Sequence, residues 1–368
     1  MPKMAILDDL DKIKKIDKGN MLSFCVDAPK HYEKAAKLAR TVSIGYREPR
    51  TIIVAGMGGS AIGGELLKDW ARDRVAVPID VCREYSLPEY ADKDTLVFVV
   101  SYSGETEESL SVLLDAVKRK CMIVGLSSGG KLFEFAEKLN VPHLRVPSGM
   151  APRATLPYLF VPLPIFLEKI ALVSGVGSEV SEAVRVLKQV SDENSSSKPL
   201  ADNFSKTLAS GIFGAVPVVY GFGVYRAVAQ RFKTQFNENS KVPAKWETFP
   251  ELNHNEIVGW EGVRELAKSF SIILIRDESE APAIRRRIEV TKELMIRELL
   301  RVSEVWGKGK TTLVKMSSVI CVGDFTSVYL AVLRGIDPTP VRTITILKEK
   351  LEQTKVKEKV IRELQRLV

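Results

Sequence analysis

Apolar positions along the chain alternate between two periods. Short unbroken runs come first: Thr51-Ile52-Ile53-Val54-Ala55, Val77–Cys82, Thr95–Val100, Met122–Gly125 and His143–Val146. Runs of this length and β-branched content predict strands buried on both faces. A helix is predicted after the first run, through about Trp70, and others near 106–119 and 131–139, where apolar residues recur at helical spacing. Short buried strands alternating with helices predict a parallel, doubly wound sheet. The pattern then starts again, with strands at Val216–Tyr220 and Ser271–Ile275. Helices are predicted from about Tyr225 to Asn237 and over Ala283–Val302 and Lys310–Gly335. The fold class is therefore α/β, with two doubly wound parallel sheets flanked by helices.

The segments outside these runs set the expected boundaries. Residues 1–45 carry helical periodicity, with Ile13, Ile16, Met21, Ala35, Ala36 and Leu38, and are expected to pack on the first sheet. Residues 174–204, polar and ending in Ser195-Ser196-Ser197, read as a linker with one amphipathic stretch around Val180–Val190. This gives a first domain over 1–173 and a second over 205–368. The last segment, Leu347–Val368, places Leu351, Val360 and Leu364 among Lys and Glu and reads as a docked, solvated amphipathic helix. Ala154–Val173 is strongly apolar but interrupted by Pro157, Pro162, Pro164, Glu168 and Lys169, so it reads as core and not as a membrane span.

Composition narrows the class. A length of 368 residues, 45% apolar and 27% charged, suits two soluble domains. The net charge of +8 is spread over helices as Lys/Glu mixtures instead of being clustered with aromatics, which argues against a nucleic-acid partner and for attraction of small anions. Cys25, Cys82, Cys121 and Cys321 form no C-x-x-C pair, so neither a zinc site nor a disulfide framework is expected, and reduced thiols fit a cytoplasmic protein. Asp8, Asp9 and Asp11 near the start do not suit a signal peptide.

The candidate chemistry lies where strands end. Ser101-Tyr102-Ser103-Gly104-Glu105-Thr106 follows the third run and enters a helix. The free amides of a first helical turn, the positive end of its dipole and the hydroxyls of Ser101, Ser103 and Thr106 together form an anion site. No Lys or Arg lies between Asp94 and Lys118, so the predicted grip on a phosphate is dipolar. Gly56-Met57-Gly58-Gly59-Ser60-Ala61 after the first run has two readings. One is a dinucleotide fingerprint, with Asp80 or Glu84 as the ribose acid. The other is a substrate loop in which Gly58 and Gly59 bring amides close and Ser60 adds a hydroxyl. Two facing loops around one small phosphosugar account for both stretches, and no nicotinamide, other cofactor or metal is called for.

Gly58-Gly59-Ser60 with Ser101-Tyr102-Ser103-Gly104-x-Thr106-Glu107 resembles the sugar isomerase (SIS) domain. Ala151-Pro152-Arg153-Ala154, Asn237-Glu238-Asn239-Ser240-Lys241-Val242-Pro243-Ala244 and Glu251-Leu252-Asn253-His254-Asn255-Glu256 resemble the archaeal-type bifunctional phosphoglucose/phosphomannose isomerases. The resemblance spans about residues 20–350 and implies an aldose–ketose isomerase acting through a cis-enediolate. It implies Glu238 as base, Arg153 as the cation that steadies the enediolate, and His254 as the group that opens the sugar ring. It further implies a homodimer with His254 donated by the neighbouring subunit, and an active-site lysine at Lys348. Two features depart from the family pattern: Glu105 stands where Asn is common, and the C-terminal helix runs beyond the usual end. SIS domains also serve as non-catalytic sugar-phosphate sensors, but nothing upstream of Thr51 resembles a DNA-binding output module.

Overall fold

The structure is a computed structural model that describes residues 4–261, 264–298 and 301–368. The first sheet contains β1 (Thr51–Ala55), β2 (Ile79–Cys82), β3 (Thr95–Val100), β4 (Met122–Ser127) and β5 (His143–Arg145), in the order β2-β1-β3-β4-β5. The second contains β6 (Val216–Phe222), β7 (Lys245–Phe249), β8 (Phe270–Arg276) and β9 (Arg301–Trp306), in the order β7-β6-β8-β9. Every pairing is parallel. The apolar runs explain the centres of both sheets: β3 and β4 are buried at every position, as a strand covered on two faces must be.

The chain forms two compact units. One holds the first sheet and comprises Lys30–Val180 and Val341–Val368; the other holds the second sheet and comprises the residues up to Pro29 and Ser181–Pro340. These limits differ from those drawn on the sequence. Most of 174–204 is a helix, Val176–Asn194. Val176, Val180, Ala183, Leu187 and Val190 recur at helical spacing and are buried, together with the polar Glu179, Ser191 and Asn194. The termini also exchange allegiance. The helix Met21–Val26 packs on Thr312–Arg334 in the second-sheet unit, not on the first sheet. The last helix, Val356–Gln365, packs on Glu107–Lys118 in the first-sheet unit, where Val360 and Leu364 join the core around Val97, Leu110 and Leu113.

Helix Thr312–Arg334 is long and apolar enough to cross a membrane by length and composition, yet 94% of its apolar window is buried inside the protein. It lies against Phe204–Ile212 and Arg226–Glu238, so its uniform apolarity is that of a central core helix. Residues 283–302, read as one helix, divide in the structure. The helix is Pro282–Arg297, and β9 begins at Arg301.

His143 is a half-buried titratable group of the first sheet. Its Nε2 meets Ser127 Oγ at 2.9 Å, Phe133 covers it edge-on, and Nδ1 has no hydrogen-bond partner among the described residues. Burial, with Arg145 nearby, pushes its pKa down from 6.5 to about 4. A folded-state pKa below the unfolded one means that the unfolded chain binds the extra proton between pH 6.5 and 4. This contribution to stability is therefore complete above pH 6.5 and is lost as the pH falls towards 4. Allowing for partial exposure, it amounts to about 2 kcal/mol. Urea unfolding at pH 7 and pH 4.5 should show a smaller acid loss in His143→Gln than in the parent; equal losses would exclude His143 as the cause.

Candidate active site

The order β2-β1-β3-β4-β5 reverses direction between β1 and β3, because the chain goes from β1 to one side and returns to the other. The loops leaving two such strands diverge and open a crevice at their carboxyl ends, where parallel sheets bind ligands. Both candidate loops lie there. Gly58-Gly59-Ser60 leaves β1 and starts the helix Gly59–Ala71; Ser101–Thr106 leaves β3 and starts Glu107–Lys118.

Hydrogen bonds join the two loops into one cradle. The Tyr102 amide donates to Ser60 Oγ at 3.3 Å. Ser101, 1% exposed, donates to Thr106 Oγ1 at 2.8 Å and accepts from the Gly104 amide at 3.1 Å. Ser101 is thus a brace beneath the loop, while Ser103 at its tip is exposed and Thr106 half-exposed. Thr106 is the N-cap of its helix without bonding back to it, so the first-turn amides of Glu107, Glu108 and Ser109 keep their anion-binding orientation. Gly104 has a φ of +70°, and a Cβ there would lie 1.8 Å from the Gly129 carbonyl oxygen. Only glycine permits that closeness, which ties the serine loop to the turn after β4.

Arg153 belongs to the same cradle. It is 3% exposed, on the short turn Pro152–Ala154. That turn packs on the first loop: a Cβ on Gly59 would approach the Pro152 carbonyl oxygen to 3.2 Å and the Arg153 Cα to 3.6 Å. A strut that the sequence did not single out completes the arrangement. Tyr102 OH donates to the Pro147 carbonyl at 3.1 Å and accepts from the Met150 amide at 2.9 Å, fixing the segment that leads to Arg153. Asp80, the acid a dinucleotide site would use, is instead held by Tyr90 OH at 2.8 Å and by Lys68 at 3.5 Å.

Glu238 and His254 lie in the second-sheet unit. Glu238 is the last residue of helix Arg226–Glu238 and is half-buried. The polar residues around it lock that helix end. Asn239 Nδ2 donates to Ser327 Oγ at 2.8 Å, Ser240 Oγ to the Ser327 carbonyl at 2.6 Å, and Lys241 Nζ to the carbonyls of Glu238 and Pro338 at 2.6 and 2.8 Å. The helix end that carries Glu238 is thus held in place. His254 ends the turn Glu251–His254 and is exposed. Its neighbours are anchored: Asn253 donates to Thr291 Oγ1 at 2.8 Å, and Glu256 accepts from Tyr220 OH at 2.6 Å and Lys245 at 2.7 Å. Lys348 is exposed on helix Arg342–Leu351, in the unit of the phosphate cradle.

The second sheet, β7-β6-β8-β9, has the same reversal between β6 and β8. There the residues at the strand ends pair with one another. Tyr225 OH donates to Asp277 Oδ2 at 2.6 Å, Lys315 pairs with Asp277 at 2.9 Å, and Arg276 is bound by Glu280 at 2.7 Å.

Comparison with known proteins agrees with this architecture. Residues 201–351 match the model of the bacterial phospho-glucose isomerase C-terminal SIS domain. A bifunctional phosphoglucose/phosphomannose isomerase from Caldicellulosiruptor bescii is 38% identical, with 91% of this chain and 100% of the relative covered. One from Aquifex aeolicus is 34% identical, with coverage of 82% and 90%. The crystal structure of a hypothetical protein from Thermus thermophilus superposes with a TM-score of 0.75 at 16% identity, over 96% of this chain and 94% of that one. Sequence kinship along nearly the whole chain, on two SIS-type sheets, makes this chain a member of the bifunctional phosphoglucose/phosphomannose isomerase family.

Proposed function

We propose that the chain is an aldose–ketose isomerase that interconverts fructose 6-phosphate with glucose 6-phosphate and mannose 6-phosphate. The observation that carries this reading is the cradle at the β1/β3 reversal, where hydroxyls and first-turn amides from two joined loops meet beside a buried arginine. The family relation supplies the reaction class.

The roles follow from the chemistry. Gly58 and Gly59 amides, Ser60, Ser103, Thr106 and the first turn after Thr106 hold the ester phosphate, with Ser101 setting the direction of Thr106. Once the ring is open, Glu238 takes the proton from C2 or C1 and returns it to the other carbon. Rotation about C2–C3 lets one carboxylate serve both C2 epimers. Arg153 is always protonated and balances the charge that develops on the enediolate oxygens. His254 moves the proton between ring oxygen and C1 hydroxyl. Its exposure on an anchored turn suits a group donated to the site of a second copy, and Lys348 adds a cation near the sugar.

Three measurements test this reading. Purified protein in chelator should isomerise each hexose 6-phosphate; no turnover on any of them would end it. Glu238→Gln should lower kcat by about 10²–10⁴-fold with KM changed only a few-fold, and undiminished turnover would remove Glu238 from the role. The double variant Ser103→Ala/Thr106→Ala should do the reverse, raising KM about tenfold at a nearly constant kcat. The dimer is tested by complementation. Inactive Glu238→Gln and His254→Gln chains, refolded together in equal amounts, should regain about a quarter of parental activity, since half the dimers are mixed and each mixed dimer holds one intact site. No recovery would place His254 and Glu238 of one chain in the same site.

A further inference from the structure

Glu105 and the C-terminal helix meet in space. Glu105 puts a carboxylate into the phosphate loop, and the C-terminal helix Val356–Gln365 brings Lys357 to it, where the two form an ion pair. The other Glu105 oxygen accepts from the Lys131 amide at 2.9 Å, at the start of the helix after β4. Glu107, in the first turn of the phosphate helix, is tied in the same way: Oε1 accepts from Tyr85 OH at 2.8 Å and Oε2 from the Lys357 amide at 3.1 Å. Farther along, Lys118 pairs with Glu363 at 2.5 Å, and Val360 and Leu364 are buried against Leu110, Leu113 and Leu114. The last helix is thus fastened along the whole helix whose amino end is the phosphate cradle.

Resting on the phosphate-site reading above, we propose that Lys357 is a positioning residue for that site. It cancels the charge of Glu105 and, together with the Lys131 amide, holds the carboxylate to the side of the loop. Glu105, Glu107 and Glu108 crowd the entrance to a site meant for a dianion, and the loop has no cation of its own. Attraction by the dipole and hydroxyls suffices only if such a carboxylate is neutralised, because a unit charge within about 10 Å of a phosphate in partly exposed surroundings changes its affinity several-fold. The C-terminal extension supplies that neutralising charge from a helix that packing keeps in place.

The test uses the full-length protein and four variants, with KM for fructose 6-phosphate and Ki for inorganic phosphate as readouts. Lys357→Met should raise both constants about fivefold in low salt, with kcat within twofold, and the effect should shrink in about 0.5 M NaCl. Adding Glu105→Gln to Lys357→Met should return both constants to within twofold of the parent. Glutamine keeps the acceptor for the Lys131 amide while removing the charge. Glu105→Gln alone should bind phosphate at least as well as the parent. Unchanged constants in Lys357→Met would overturn the proposal. So would a double variant as weak as Lys357→Met, since Lys357 would then act through packing, or a rise in KM without a rise in the phosphate Ki. The Ser103→Ala/Thr106→Ala variant separates the two levels. If it raises both constants while Lys357→Met does not, the positioning role alone is wrong; if it raises neither, the phosphate site is misplaced and this proposal falls with it.

Discussion

The bond from the Tyr102 amide to Ser60 Oγ makes two strand-end turns into one site. Without it the loops after β1 and β3 would be independent caps. With it, the turns that start the helices Gly59–Ala71 and Glu107–Lys118 are tied to each other. Close backbone packing supports the arrangement from behind. Gly104 passes the Gly129 carbonyl at a distance that excludes any side chain, and Ser128 closes the contact through its amide and hydroxyl, both donated to the Tyr102 carbonyl at 2.8 and 2.7 Å. The cradle is therefore rigid before any ligand arrives, so little ordering cost is left for binding.

The central parts of this design are more legible in the sequence than its edges. β1, β3, β4, β6 and β8 are largely apolar and buried at their centres, as strands covered on both faces are, and a nearly continuous apolar run needs no context to be recognised. The two strands that no such run marks, β7 and β9, are the outer strands of the second sheet. Lys245-Trp246-Glu247-Thr248-Phe249 and Arg301-Val302-Ser303-Glu304-Val305-Trp306 mix charges with apolar residues, since one side of an edge strand faces solvent. No glycine or proline separates the helix Pro282–Arg297 from β9, so the change of period has no marker. The terminal helices are hard to place for another reason. An apolar stripe such as Val360 and Leu364 says that a helix must dock, not where.

The loop chemistry is legible to the same extent. Hydroxyls and glycines after a buried strand mark the turn into a helix, and the structure places that turn at residues 101–106. Local pattern does not show the division of labour among them. Ser101 and Ser103 look alike in sequence, yet the first is a buried brace whose proton goes to Thr106 and the second is the exposed tip. Tyr102 reads as a spacer, but its phenol spans to Pro147 and Met150 and sets the path to Arg153. Such roles depend on residues far along the chain, beyond the reach of any short window.

The two sheets repeat one topology but differ in how a carboxylate near the reversal is balanced. Both sheets reverse at the corresponding place, so both offer a crevice by topology alone. In the second, the residue leaving β8 is Asp277, and burial would raise its carboxyl. Hydrogen bonds from Tyr225, Lys315 and Ser279 outweigh that and keep it below the usual carboxylate range, as a charged internal partner. An ionised carboxylate at a strand end repels a phosphate; here Lys315 balances its charge and Tyr225 donates a neutral hydrogen bond to it. The first sheet meets the same hazard at Glu105 but resolves it outside the loop, by turning the charge towards the Lys131 amide and Lys357. One carboxylate is balanced from outside its loop by Lys357, the other by Lys315 on a helix of the same unit. The second unit carries Glu238 and His254 on its flanking helix and turn, not at its strand ends.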